Sequence, residues 1–267
     1  MKQAHWFGPV LFSALTVALC FLTLPIAAIF LDTGPGALLA SLGDPAAIDA
    51  LTLSLWTSAL AVTLIVVVGT PAAYGLATRD FRGRSVVMTL IELPLVLPPA
   101  VAGIGLLAAL GPNGLFGQAL DDAGIRVVLT SASVVLALTF VAAPFYLRQA
   151  EAAFGALDPA WLEASRTLGA GEATTFVRVA IPAALPGLIA GLALAWGRAL
   201  GEFGATLMFA GSFRGVSQTV PLAIYERFST DFTGALGLSA VLVAVSAALL
   251  LTVKLATRAS PARVLAR

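Results

Sequence analysis

The chain has 267 residues, 59% of them hydrophobic and only 11% charged, with a formal net charge of +1. Soluble domains carry about 25% charged residues, so composition excludes a water-soluble globular fold and places the mass of the chain in a bilayer. A single cysteine, Cys20, rules out an intrachain disulfide. Leu19 stands where a lipoprotein signal would carry a small residue, so lipidation of Cys20 is not expected. No charge run, low-complexity linker or second domain interrupts the sequence. The expectation is one all-α polytopic membrane domain over residues 1–267.

Residues 10–31 carry no charge. At about 1.5 Å per residue they match a hydrocarbon core of about 30 Å. Lys2 ahead of this run resembles a signal peptide, but the apolar region is too long and further spans follow, so a retained helix is expected, with a kink at Pro25. Residues 53–77 form the second predicted span, followed by a basic turn at Arg79, Arg82 and Arg84. Residues 86–110 form the third, with Glu92, Pro94, Pro98 and Pro99 inside it. Proline frees carbonyls in the preceding turn, and at membrane depth those groups need protein or cavity water. This span is therefore expected to face other helices or a water path.

A loop opening at Gly111 and reaching Arg126 leads to the fourth span, 127–147, with Pro144 near its end. A long polar loop, 148–186, precedes the fifth span at 187–209. Another loop, 211–233, contains a short interfacial helix near Pro221, and the sixth span, 234–253, ends in a basic tail. Six spans put both termini on one side. Eleven of the Lys and Arg residues then fall on that side, and only Arg126, Arg214 and Arg227 on the other, with Arg198 inside the fifth span. The positive-inside rule places both termini and the 148–186 loop in the cytoplasm. No inverted repeat is visible by eye.

Within that loop lies a capped polar island. Asp158 suits a helix N-cap and Pro159 the first helical position. Trp161, Leu162, Ser165 and Leu168 recur at helical spacing, which predicts one apolar face. Gly169 suits the left-handed stop. The helix is too short to cross a bilayer. On these residues alone, a surface helix resting on lipid and a docking helix are both open.

The spacing carries more. Glu163-Ala164-Ser165, three residues, Gly169, nine residues, Val179-Ala180-Ile181-Pro182 resembles the cytoplasmic EAA signature of ABC importer permeases, which reads E-A-A, three residues, G, nine residues, I-x-L-P. Val179 and Ile181 are aliphatic swaps, and Ser165 replaces the second Ala with another small residue. The stretch from Leu93 to Tyr225 is similar to the molybdate branch of those permeases. The similarity is carried by residues 93–99, 111–114, 198–206 and 218–225, and sulfate/thiosulfate permeases are similar in the same places. The resemblance implies six transmembrane helices in the cell (inner) membrane. It implies a homodimer, two separate ATPase chains that hold the ATP and Mg, and an extracytoplasmic oxyanion-binding protein. It also implies import by alternating access, with Asp158, Trp161, Leu162, Glu163, Ala164, Ser165, Leu168 and Gly169 forming the ATPase-coupling helix.

The chain itself offers no chemistry of its own. Its only lysines, Lys2 and Lys254, lie outside any G-x-x-x-x-G-K-[ST] cradle. The only histidine, His5, excludes an H-E-x-x-H metal site. Gly237-Leu-Ser239 begins like a nucleophile elbow, but Val241 sits where glycine is needed. No catalytic residue, no metal, no cofactor in this chain and no nucleic-acid partner is expected.

The intramembrane charges are sharper. Arg198 and Glu202 are four apart and share a helix face. Charges there are costly, about 2.5–3.5 kcal/mol each on insertion scales, so they point at protein or water. Either Arg198 meets an anion in the pore, or the pair locks helices together. The second reading is favoured because Glu202 neutralises Arg198 and opposes anion binding. Glu92 is a third possible member of this network. Gly187 and Gly191 with Ala195, and Gly197 and Gly201 with Ala205, form small-residue stripes expected to pack helices. Arg214, Tyr225 and Arg227 offer outer-face contacts to a solute-binding protein, or else merely solvated charge. An ion-coupled secondary transporter and a membrane scaffold remain the competing function classes.

Overall fold

The computed structural model describes residues 7–34, 36, 40, 41 and 43–259. Lys2, His5, Arg263 and Arg267 lie outside them. Among the described residues every regular element is helical. Helix α1 is Phe7–Asp32 and α2 is Pro45–Thr78. The next helices are α3 (Arg84–Val96), α4 (Pro99–Leu110) and α5 (Gly117–Asp122). Helix α6 (Ser131–Gly155) leads to a nine-residue α7 (Pro159–Thr167) and one turn, α8 (Glu172–Thr175). A π-helical turn, Phe176–Ala180, then leads into α9 (Ile181–Leu200). Helix α10 (Gly204–Ala210), α11 (Val220–Phe228) and α12 (Phe232–Ala259) complete the described residues. Among the described residues, five helical stretches are long and apolar enough to cross a membrane, six when α3 and α4 count as one bent span.

The third apolar run, expected as a span over 86–110 disturbed by its prolines, is bent sharply. Helices α3 and α4 meet at 116° across Leu97 and Pro98. Proline biases its predecessor toward extended backbone, and Leu97 and Pro98 indeed adopt ψ of 133° and 134°. The consecutive prolines also remove two donors that a continuous helix requires. The fifth run breaks as well. Helix α9 stops at Leu200, and Gly201, Glu202 and Phe203 separate it from α10.

The loop between the fourth and fifth spans is shorter than the 148–186 stretch read from polarity. Helix α6 continues to Gly155, and the next membrane-length helical stretch begins at Glu172. Polarity marks the edge of the apolar run, but the helix persists because Ala150 and Phe154 still bury against the bundle. Pro182 falls in the first turn of α9, just after the π-helical turn. That wider turn relieves the clash between the proline ring and the carbonyl four residues back.

The core lies where α2, α6 and α9 pack together. Its buried centre includes Ala61, Ile65, Val134, Leu138, Tyr146 and Leu188. Small residues allow the close approach. A Cβ on Gly191 would sit 3.0 Å from Gln149 Cβ, and one on Gly187 would overlap Ala153 Cβ. Polar side chains fasten the same interface: Tyr146 and Thr70 hydroxyls are 2.6 Å apart, and Trp196 Nε1 donates to Ser58 Oγ at 3.0 Å. Helix α1, by contrast, has no buried residue and meets α12. Its apolar surface fits a lipid solvent.

The second stripe of small residues behaves differently. A Cβ on Gly197 would meet nothing within 4 Å, and one on Gly201 only Gly197 O at 3.7 Å. Among the described residues, Gly197 and Gly201 therefore pack against no other helix. The helix ends at Leu200, so Ala205 does not continue their stripe; it lies against α4 instead. Gly187→Ala is expected to destabilise the chain by about 1–3 kcal/mol through overpacking, whereas Gly197→Ala is neutral or stabilising by up to about 1 kcal/mol. Thermal unfolding in detergent separates the two; equal midpoints would contradict this packing.

Candidate coupling site and intramembrane charges

Helix α7 is held at both ends by its own sequence. Asp158 has extended backbone (φ −65°, ψ 119°), and its carboxylate accepts the Ala160 N–H at 2.9 Å. Pro159 occupies the first turn, where it leaves no donor unsatisfied. At the other end Gly169 takes φ 85°. Its N–H donates to Arg166 O at 3.0 Å, and the Ala170 N–H to Ser165 O at 3.1 Å. That pair of bonds is a Schellman stop. The left-handed φ is strained for any residue with a Cβ, so glycine is required there.

The four residues expected to share one apolar face differ in burial. Leu162 is buried and joins the core cluster that includes Phe154 and Phe176. Ser165 is half-buried, and its hydroxyl lies 2.9 Å from Thr175 Oγ1. Trp161 and Leu168 instead remain 51% and 88% exposed. Helical spacing puts positions on one stripe, but a nine-residue helix in contact over a single turn buries only the centre of that stripe. Glu163 and Ala164 are exposed too. The helix is thus anchored through Leu162 and Ser165 while it presents Trp161, Glu163, Ala164 and Leu168 outward. The Ser165–Thr175 bond is not visible from spacing, which places Ser165 on the apolar stripe and in the coupling helix but names no partner for its hydroxyl.

Arg198 and Glu202 do meet. Arg198 Nη2 lies 2.5 Å from Glu202 Oε2, and Glu202 is 1% exposed. The contact is a charge pair without hydrogen-bond alignment, since Oε2 has no aligned donor. The other oxygen, Oε1, accepts the Ala205 N–H at 2.7 Å. The carboxylate therefore closes the break between α9 and α10 and satisfies a first-turn amide of α10. Around that break the backbone is crowded: a Cβ on Gly204 would sit 2.9 Å from Pro99 Cβ, and one on Gly103 2.6 Å from Ala205 O. The two broken spans touch there.

Glu92 does not join this pair. Its Oε1 lies 3.0 Å from Arg148 Nε, and Arg148 Nη1 also lies 3.5 Å from Glu151 Oε2. Arg84 Nη2 reaches Glu151 Oε1 at 2.8 Å. Glu92 sits on α3, below the bend, so it faces the last turns of α6 rather than the end of α9. Arg79 and Glu172 form a further pair at 2.9 Å, which at 66% and 64% side-chain exposure contributes little.

At the opposite end of the bundle the arginines are also engaged. Arg227 pairs with Asp44, and Arg214 lies 3.8 Å from Asp49. Neither guanidinium is an unclaimed docking charge, and Tyr225, 62% exposed, packs its ring 5.0 Å from that of Phe203. Ser54 Oγ accepts the Val220 N–H at 2.8 Å and so caps α11 from α2. The hydrogen bond from Arg227, with a second from the Ala46 N–H, holds the Asp44 carboxyl below its ordinary value. A depressed carboxyl stabilises at pH above its unfolded value and loses that contribution as pH falls through the folded one. Wild type is therefore expected to lose stability below the ordinary carboxylate range more steeply than Asp44→Asn; identical acid profiles in thermal unfolding would refute the clamp.

A family model described as "Binding-protein-dependent transport system inner membrane component" matches residues 65–265. The chain belongs to that family. It is 43% identical over 235 residues to the "Molybdenum transport system permease protein ModB" of Mycobacterium tuberculosis, covering 87% of this chain and 88% of that one. The "Probable transport system permease protein NifC" of Clostridium pasteurianum is 38% identical over 250 residues, covering 93% and 87%. The "Sulfate transport system permease protein CysT" of Salmonella typhimurium is 34% identical over 211 residues, covering 79% and 76%. Among solved structures, a bacterial alginate ABC transporter in complex with alginate pentasaccharide-bound periplasmic protein matches with TM-score 0.71 at 17% identity, over 93% of this chain and 92% of that one. The MetNI methionine ABC transporter in an inward-facing conformation matches with TM-score 0.60 at 18% identity, over 79% and 93%. These structures share the fold. As an inner membrane component of such a system, the chain is a transport subunit rather than an enzyme.

Proposed function

We propose that this chain is the membrane-spanning subunit of an ATP-driven importer that passes molybdate into the cytoplasm by alternating access. The observation that carries the reading is α7: a doubly capped helix, anchored by Leu162, that holds Trp161, Glu163 and Leu168 outward at the signature spacing. Such a helix is shaped to sit in a groove of another chain. Two copies of this permease would bind two ATPase chains, which hold the ATP and Mg. An extracytoplasmic oxyanion-binding protein would deliver the substrate to the opposite face. The asymmetry of Lys and Arg between the two sides supports a cytoplasmic position for both termini and α7. In the homodimer, the open Gly197–Gly201 surface is available for the second copy.

Molybdate is supported by the 43% identity to a molybdenum permease over most of both chains. The sulfate permease at 34% identity supports a second reading, in which sulfate or thiosulfate is the substrate, and tungstate shares molybdate's shape and charge. Specificity then resides mainly in the binding protein. Proteoliposomes holding the permease with its ATPase are expected to take up molybdate only when ATP and the binding protein are both supplied, with excess sulfate competing poorly. Uptake driven by an ion gradient without the ATPase would replace this proposal with a secondary transporter; an absence of any solute flux would leave a scaffold.

A further inference from the structure

Helix α3 is attached to the molecule by charge. None of its residues is buried. Its half-buried positions are Arg84, Met88, Ile91, Glu92 and Pro94, and the first four form one stripe at helical spacing. Both ends of that stripe end in ion pairs to α6: Arg84 to Glu151 at 2.8 Å and Glu92 to Arg148 at 3.0 Å. Arg84 Nε also donates to Leu76 O at 2.8 Å, at the end of α2. The other arm of the broken span is held differently. In α4, Ala102 and Gly103 are buried, and they pack with Ala205 and Phe209 of α10 and with Ala137 and Val141 of α6. Pro144 separates this apolar contact on α6 from the charged one. The bend at Leu97 and Pro98 thus joins an arm fixed by close packing to an arm fixed by salt bridges.

Helix α6 runs from Arg148 and Glu151 to Gly155 and, after a short turn, into α7. Glu92 lies eight residues into α3, about 12 Å along its axis. Charges at that depth are costly in lipid, so the face holding Glu92 and Arg148 is covered by water or protein in the assembled transporter. Away from bulk solvent their attraction strengthens.

We propose that Glu92 and Arg148 are positioning residues that latch α3 to the stem of α7, so that a displacement of α7 is passed to the inner arm of the broken span through this pair. The inference rests on the proposed coupling role of α7. Glu92→Gln and Arg148→Gln are each expected to lower ATP-driven uptake about fivefold or more while ATPase binding is retained. The double variant is expected to be no slower than either single, because both remove one interaction. Independent, multiplying losses would overturn the latch, as would unchanged uptake in both singles. A covalent substitute supplies the second measurement. In a Cys20→Ser background, Glu92→Cys with Arg148→Cys is expected to react with a short bifunctional thiol reagent and to regain the uptake it lacks before crosslinking. Absence of a crosslink on a gel, or a crosslinked protein no faster than the untreated one, refutes the placement of α3 on α6. Wild-type uptake in the same vesicles judges the proposed function; the ratio of variant to wild type judges the latch.

Discussion

Glu163→Lys is expected to leave the chain inserted and folded and to reduce ATP-driven uptake by about tenfold or more. The two halves of that expectation have separate physical grounds. Glu163 is exposed, and among the described residues its carboxylate makes no hydrogen bond or ion pair. A surface substitution of this kind changes stability by about 0.5 kcal/mol or less. The helix caps are untouched, since Asp158 and Gly169 close α7 without it. At an interface, however, reversing a charge sets like against like and costs several kcal/mol. Leu162→Ala gives the contrasting pattern. Leu162 is 9% exposed and packs in the core cluster, so its truncation loosens α7 itself and lowers thermal stability as well as uptake. Membrane abundance, co-purification of the ATPase and uptake are measured together. Normal uptake by Glu163→Lys would remove α7 from the path of force, and lost insertion would assign Glu163 a folding role that its exposure does not explain.

Much of this architecture is written in local chemistry, which is why it is readable before any coordinates. Uncharged runs about as long as a bilayer is thick mark helices because no other segment satisfies its backbone there. The Asp158-Pro159 start and the Gly169 stop define α7 because capping is settled within a few residues. What stays hidden depends on neighbours distant in sequence. Pro98 and Pro99 announce a disturbance, but whether a span kinks or folds back by 116° depends on what receives α4, here the small surface of Gly103 against Ala205. The extension of α6 to Gly155 follows from Phe154 finding Tyr74 and Phe176, a cluster assembled from three separate elements. Pairing of charges is equally non-local. Glu202 lies four residues from Arg198 and meets it, as helical spacing requires, whereas Glu92 had to be placed by the bend before Arg148 became its partner. Glycine stripes share this ambiguity: the same four-residue spacing packs tightly at Gly187 and Gly191 and faces open space at Gly197.

Removing Arg198 is expected to be the most destabilising single change in the membrane core. Arg198→Ala leaves Glu202, 1% exposed, without its only cation partner among the described residues, and an uncompensated buried charge of that kind costs about 3–5 kcal/mol. Glu202→Gln is milder. The amide oxygen still accepts the Ala205 N–H that Oε1 accepts now, and Arg198, 26% exposed at the side chain, retains access to other partners. If the pair serves only to hold the break between α9 and α10, Arg198→Met combined with Glu202→Gln restores most of the loss, because a neutral pair of similar volume carries no desolvation penalty. Thermal unfolding tests this ordering: Arg198→Ala lowest, the double variant near Glu202→Gln. Uptake then separates structure from conduction. Glu202 already engages Arg198 on one oxygen and the start of α10 on the other, so the guanidinium is committed to the fold, and the folded double variant is expected to transport. A double variant as stable as wild type that carries no substrate would instead assign Arg198 to the passing anion, with Glu202 serving to hold it in place.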